Sequence, residues 1–144
     1  MKTIVLISCC KEKLHYLSPA EKLYQSSKFK KSLAYARLLK PDAIYILSAK
    51  HNVVELLKPL EWYDEKLQDK SEDEKNAWAN NCLKSLKEKY DLKNDKFIIL
   101  AGLEYYHRLI GPNKICNFEL PLYGLTQGYA LHWLNEHIKE AQND

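Results

Sequence analysis

Three apolar runs, each ending abruptly in a small polar cluster, constrain this 144-residue chain more than any other feature. Thr3-Ile4-Val5-Leu6-Ile7 gives way to Ser8-Cys9-Cys10-Lys11-Glu12-Lys13, Ala43-Ile44-Tyr45-Ile46-Leu47 to Ser48-Ala49-Lys50-His51, and Phe97-Ile98-Ile99-Leu100 to Ala101-Gly102-Leu103-Glu104. Unbroken apolar runs of this length, separated by helical stretches, read as strands of a parallel sheet covered on both faces. Open sheets of that kind bind ligands beyond the carboxyl ends of their strands. The expectation is an α/β fold: one three-layer domain over residues 1–144 with a mostly parallel, Rossmann-like sheet of about four strands. The thiols, amines, hydroxyls and imidazole at the strand ends then converge on one crevice.

Between the runs, Ser18-Pro19-Ala20-Glu21 has the form of a capping box with proline at the first helical position, so a short helix is expected there. A second start at Ser26 or Ser27 leads into a helical face of Phe29, Leu33, Ala36, Arg37 and Leu39, which Pro41-Asp42 ends. Asn52 to Lys70 has no sustained period and reads as a long loop with a short strand at Val53-Val54, a length that is often functional when ordered. From Ser71 to Lys89, the spacing of Trp78, Cys82 and Leu86, with acids early and lysines late, predicts an amphipathic helix aligned with its dipole. Gly102 marks a turn into a helix running towards Ile110, and Ile115 to Phe118 reads as a fourth, short strand. A loop from Pro121 to Gly128 leads into a last helix over Tyr129 to Ala141, and Gln142-Asn143-Asp144 reads as a frayed tail.

The chain is long enough for one complete core and too short for two. No run approaches the roughly 18 apolar residues of a membrane span, so no membrane partner is expected. The first apolar run is too short for a signal peptide and lacks a cleavage site, which points to a cytoplasmic protein. Cysteines at 9, 10, 82 and 116 make no CxxC framework and fit free thiols in a reducing compartment. A net charge of +3, with acids mixed among the lysines, does not announce a nucleic-acid binder. Lys28-Phe29-Lys30-Lys31 is the one local excess; it could meet phosphates, but a solvated helix start is the preferred explanation.

Chemistry concentrates at the strand ends. A lysine near Cys9 and Cys10 stabilises thiolate over thiol, which is how a cysteine becomes nucleophilic, although a thiol can equally pack as a small hydrophobe. Lys50 can hold phosphate or carboxylate, and His51 can move a proton near neutrality. The histidines at 132 and 137 fall on different helix faces and no HxxxH or CxxC pair exists, so no metal site is expected. Without a Walker A loop or GxGxxG turn there is no signature for a cofactor either. Tyr24, Tyr63, Tyr105, Tyr106 and Tyr123 sit in or beside predicted loops, where a ring can stack on a base. Because ordinary packing accounts for most tyrosines, only Tyr24 and Tyr123, each beside another polar cluster, are kept as candidates.

Six segments taken in order carry a resemblance: Ile7 to Lys13, Ala20 to Phe29, Leu47 to His51, Trp62-Tyr63-Asp64, Leu100-Ala101-Gly102 and Pro121 to Gly124. Together they look like the YaaA-like family of small bacterial and phage proteins, labelled after a peroxide-stress protein. Where that family usually reads Ser-Ala-Lys-His-Gly-Leu, this chain has Asn52-Val53 after the histidine, and asparagine tolerates the left-handed backbone better than most residues. More distantly, Cys9 and Lys13 keep a cysteine-to-lysine spacing that is similar to the lysine-transferring domain of archaeosine synthase. Ser8 stands where that motif has proline, and the later serine-histidine motif is only partly matched by Ser27-Lys28-Phe29. The resemblance implies modified-base chemistry.

The functional expectation is an enzyme acting on a nucleobase or nucleotide, free or within nucleic acid, as a transferase or in glycosidic-bond chemistry. Cys9 would be nucleophile or orienter, Lys13 and Lys50 would hold negative charge, and His51 would transfer a proton. Ser8, Cys10, Tyr24, Ser27, Ser48, Gly102, Tyr123 and Gly124, all in or beside these segments, would bind substrate. The alternative is a non-catalytic, DNA-binding stress protein, which needs a continuous basic surface from Lys28, Lys30, Lys31 and the lysines between 84 and 96.

Overall fold

A computed structural model describes residues 1–143. In chain order its elements are β1 (Thr3–Ser8), β2 (Ser18–Pro19), α1 (Ala20–Leu23), α2 (Ser27–Leu38), β3 (Ala43–Ser48), β4 (Asn52–Glu55), β5 (Pro59–Leu60), α3 (Glu72–Lys87), β6 (Lys96–Leu100), α4 (Leu103–Tyr106), β7 (Phe118–Glu119) and α5 (Gln127–Asn143). The three apolar runs form adjacent strands of a five-stranded sheet ordered β4-β3-β1-β6-β7. β1 pairs in parallel with β3 on one side and with β6 on the other, so that Val5 lies opposite both Ile44 and Ile98. The fold is mixed α/β with a mostly parallel central sheet flanked by helices.

Alternation along these strands divides the core into two layers. Val5, Ile7, Ile46, Ile98 and Leu100 point to the face covered by α2 and α5, where they meet Phe29, Leu33, Ala130 and Leu134. Ile4, Leu6, Leu47, Phe97 and Ile99 point to the other, under Trp78, Ala79, Cys82 and Leu86 of α3. Full burial of each such side chain contributes about 1.5–3 kcal/mol, which is why runs without polar alternation settle only in a sheet clad on both sides.

α3 starts where its sequence signals place it, with Ser71 and Glu74 forming a reciprocal capping box. Several other expectations are corrected. Ser18 does not cap α1: its hydroxyl donates to the Tyr16 carbonyl, while Ser18 and Pro19 form β2 against Pro59–Leu60. The free amides of Ala20 and Glu21 reach the carbonyls of Lys58 and Leu56 instead, so a remote backbone does the work assigned to a side chain. In the stretch from 52 to 70 the short strand expected at Val53-Val54 is present as β4, longer by a residue at each end, and it adds an antiparallel edge to β3 that raises the strand count to five. On α2 the buried face takes Ser32, while Leu39 is partly exposed and Arg37 turns out to pair with Glu21.

Past β6, the helix expected to run towards Ile110 is the single turn of α4. The fourth parallel strand, β7, begins only at Phe118, with Ile115 making an isolated bridge to Ile110. α5 begins two residues early, at Gln127, and continues through Asn143, while Asp144 lies outside the described residues. Among the described residues no helix is long and apolar enough to cross a membrane.

Candidate functional site

From β1 the chain passes through α2 to β3 on one side, while β6 lies on the other side and leads outward to β7. The carboxyl ends of β1 and β6 therefore flank a topological switch point, the position at which such sheets open a crevice. Two cavities occur there. The first, of about 270 Å³, is lined by the end of β1 (Ile7, Ser8), Glu12 of the loop that follows it, Leu100 of β6, the amino end of α2 (Ser26, Lys28, Phe29, Ser32) and Gln127 of α5. The second, of about 300 Å³, is lined by Lys13, Asp64, Glu65, Lys66, Gln68 and Tyr105. Cys9, Cys10 and Lys11 line both.

Cys9 follows the last residue of β1, where its amide still donates to the Leu47 carbonyl at 2.9 Å. That bond extends the ladder by one step and fixes the half-buried thiol at the junction of the cavities. Its Sγ lies 3.3 Å from the Tyr105 hydroxyl. Burial, and then the negative charge of a Cys9 thiolate, raise the pKa of Tyr105 well above the ordinary phenol value, so this hydroxyl keeps its proton and can donate to sulfur. Gly102 caps the short turn that presents Tyr105, and the Tyr105 ring packs edge-on against Trp78. Cys10 donates to the Glu12 carbonyl at 3.2 Å.

Behind the second cavity is a chain of buried hydroxyls. The Tyr24 and Tyr63 hydroxyls are 2.6 Å apart, and Tyr63 is 2.8 Å from Ser48 Oγ. Ser48 Oγ also accepts the amides of His51 at 3.0 Å and Lys50 at 3.3 Å, which occupy its lone pairs. Its own proton therefore points to Tyr63, and Tyr63 in turn donates to Tyr24. Burial first, and Cys9 second, push both phenols far above their ordinary pKa, so the chain carries no charge of its own. The Ser48 carbonyl accepts Trp78 Nε1 at 2.8 Å, which ties the end of β3 to α3.

Lys13 is buried, with Nζ 4.5 Å from the centre of the Tyr63 ring and donating to the Lys11 carbonyl at 3.1 Å. His51 sits edge-on to the other side of the network, its ring 5.3 Å from that of Tyr63. Burial, helped by the positive charge of Lys50, lowers the His51 pKa. Lys28 is held below the usual lysine value by burial against the first cavity.

The structure thus brings Ser8, Cys9, Cys10 and Lys13 onto cavity walls, with Tyr24, Ser48 and His51 joined behind them through Tyr63. Lys50 does not reach the cavities: it is exposed at the tip of the β3–β4 hairpin. Ser27 is exposed on α2, and Ser26 takes its expected place on the wall while capping the helix through the Phe29 amide. Tyr123 is 71% exposed and Gly124, at φ 75°, shapes the same outer loop, so neither contributes to the walls. Tyr63 and Tyr105, set aside on sequence because packing explains most tyrosines, are the phenols that contact the site. Ser32 and Gln127 had no sequence signal, since each is an ordinary helical residue until the crossovers place it at the crevice. Among the described residues no three His, Cys, Asp or Glu side chains are grouped as a metal centre.

Residues 4–136 match the model of a family of unknown function, DUF6884. The chain belongs to that family. Comparison with curated proteins and with solved structures gives no match. The DUF6884 span includes every residue lining the two cavities, so both lie within the family's common region rather than in an added segment.

Proposed function

We propose that this DUF6884 chain is an enzyme acting on a nucleobase or nucleotide, with Cys9 at the centre of its site. The observation that carries this is the position of the Cys9 sulfur: between two cavities at the sheet's switch point, 3.3 Å from a phenol that keeps its proton. The first cavity suits a phosphate-bearing ligand. The amino end of α2, a helix of 12 residues, opens on it together with Lys28 and the hydroxyls of Ser8, Ser26 and Ser32. Phe29 and Leu100, both buried, supply the apolar part of the same wall.

For a nucleoside-type substrate the chemistry balances as follows. Cys9 sulfur attacks the anomeric carbon, the carbon–nitrogen bond breaks, and its electron pair and the thiol proton leave with the base. Water or a second substrate then displaces sulfur, forming the new bond at carbon and returning a proton to the thiol. Tyr105 stabilises the sulfur whenever it carries charge. The resemblance drawn on Cys9 and Lys13 implies modified-base chemistry, which is compatible with a base-bearing substrate but does not specify this reaction.

The DNA-binding alternative fits the charges less well. Lys28 lines the first cavity, while Lys89 and Lys96 are paired with Glu55 and Glu119, which takes three cations from the surface it needs.

The test is calorimetric titration with nucleoside monophosphates and free bases, alongside mass-spectrometric detection of a sulfur adduct. Wild-type binding with an adduct that disappears in Cys9→Ala is the expected result. Binding and turnover unchanged by Cys9→Ala and Lys28→Met would remove the proposal.

A further inference from the structure

Lys13 is a cation without a counter-ion. It is 8% exposed, and among the described residues it pairs with no carboxylate. Glu65, on the same cavity wall, is bonded to Lys70 at 3.0 Å, and the Cys9 sulfur is bonded to Tyr105. An ammonium has three protons to donate, and the Lys11 carbonyl takes one. The face of the Tyr63 ring replaces part of the lost hydration, but buried charges are as a rule paired. Two donors are left beside a cavity of about 300 Å³ that Lys13 shares with Cys9.

We infer that the second cavity is a binding site for the oxyanion of a second, small substrate, a carboxylate or a phosphoryl group, held by Lys13 Nζ next to the Cys9 thiol. The surroundings favour such a charge. Lys11 and Lys66 line the same cavity, and of its two carboxylates Glu65 is neutralised by Lys70. Placed there, the second reactant reaches Cys9 from a cavity other than the one that takes the nucleotide. The inference rests on the proposed nucleotide reading only for what fills that first cavity.

Binding is read without nucleotide or turnover, so its failure and that of the nucleotide reading are separable. The protein is alkylated with iodoacetamide, a neutral reagent, and modification of Cys9 is followed by peptide mass spectrometry. Inorganic phosphate and acetate are titrated in separate arms at constant ionic strength. At ten times the Kd of the anion the free fraction falls about elevenfold, and alkylation of Cys9 slows to match. The arm that protects identifies the oxyanion as phosphoryl or carboxylate.

Protection is expected to vanish in Lys13→Met and in Gln68→Trp, which fills the cavity from an exposed position on its wall, and to persist in Lys28→Met. Should Lys13→Met fail to fold, Gln68→Trp carries the same test. Protection that survives in folded Lys13→Met or in Gln68→Trp overturns the inference, as does loss in Lys28→Met alone. Absence of protection by either anion in the wild type also overturns it.

Discussion

Replacing Tyr63 by phenylalanine tests the hydroxyl network that holds the end of β3 behind the site. The substitution keeps the ring and its contacts with Lys13 and His51 but deletes one oxygen that bridges Tyr24 and Ser48 at 2.6 and 2.8 Å. Two buried hydrogen bonds are lost at about 1 kcal/mol each, and a Tyr24 hydroxyl left without a replacement partner takes the total towards about 3 kcal/mol. Tyr24→Phe removes only the first bond, and Tyr63 still accepts from Ser48 while its own proton loses its acceptor, so at least about 1 kcal/mol is expected. In the double variant no phenol is stranded. It should be no less stable than Tyr63→Phe alone, giving a coupling of about 1 kcal/mol in the cycle. Urea unfolding, with equal m-values confirming that the unfolded states are comparable, measures all four corners. Strictly additive costs, or a Tyr63→Phe penalty below about 0.5 kcal/mol, would show that the three hydroxyls do not act as a unit.

Two further outcomes concern the adjoining hairpin. His51 has a folded-state pKa below its unfolded value, because burial and Lys50 disfavour the imidazolium, so the unfolded chain binds the extra proton first. Stability from this residue is complete above the unfolded value near 6.5 and is lost as pH falls through the folded value. His51→Gln should flatten the decline of Tm below about pH 6.5, and an unchanged slope would refute the assignment. Asn52 holds φ 63° at the start of β4, so Asn52→Ala should cost about 1–2 kcal/mol while Asn52→Gly stays near neutral. Equal thermal stability of the two variants would show that the left-handed turn is not what asparagine supplies.

Sequence alone determined the three central strands, the two-sided core and the placing of polar clusters at the carboxyl ends of those strands, because these follow from patterns within one short segment. An apolar run such as Ile4 to Ile7 can be satisfied only between two helical layers, and the residue after it must emerge at the rim. The Ser71 cap is equally local, since both of its partners lie within four residues. Tertiary structure decided which rim residues meet. Ser18 lost its cap to strand pairing with Leu60, and Lys50 was carried outward by a hairpin, whereas Ser32, Gln127, Tyr63 and Tyr105 were brought to the crevice by pairings and crossovers dozens of residues away. Local patterns fix which face of an element is apolar. Strand order and crossovers, which depend on how the whole sheet buries its surface, fix which polar groups share a cavity.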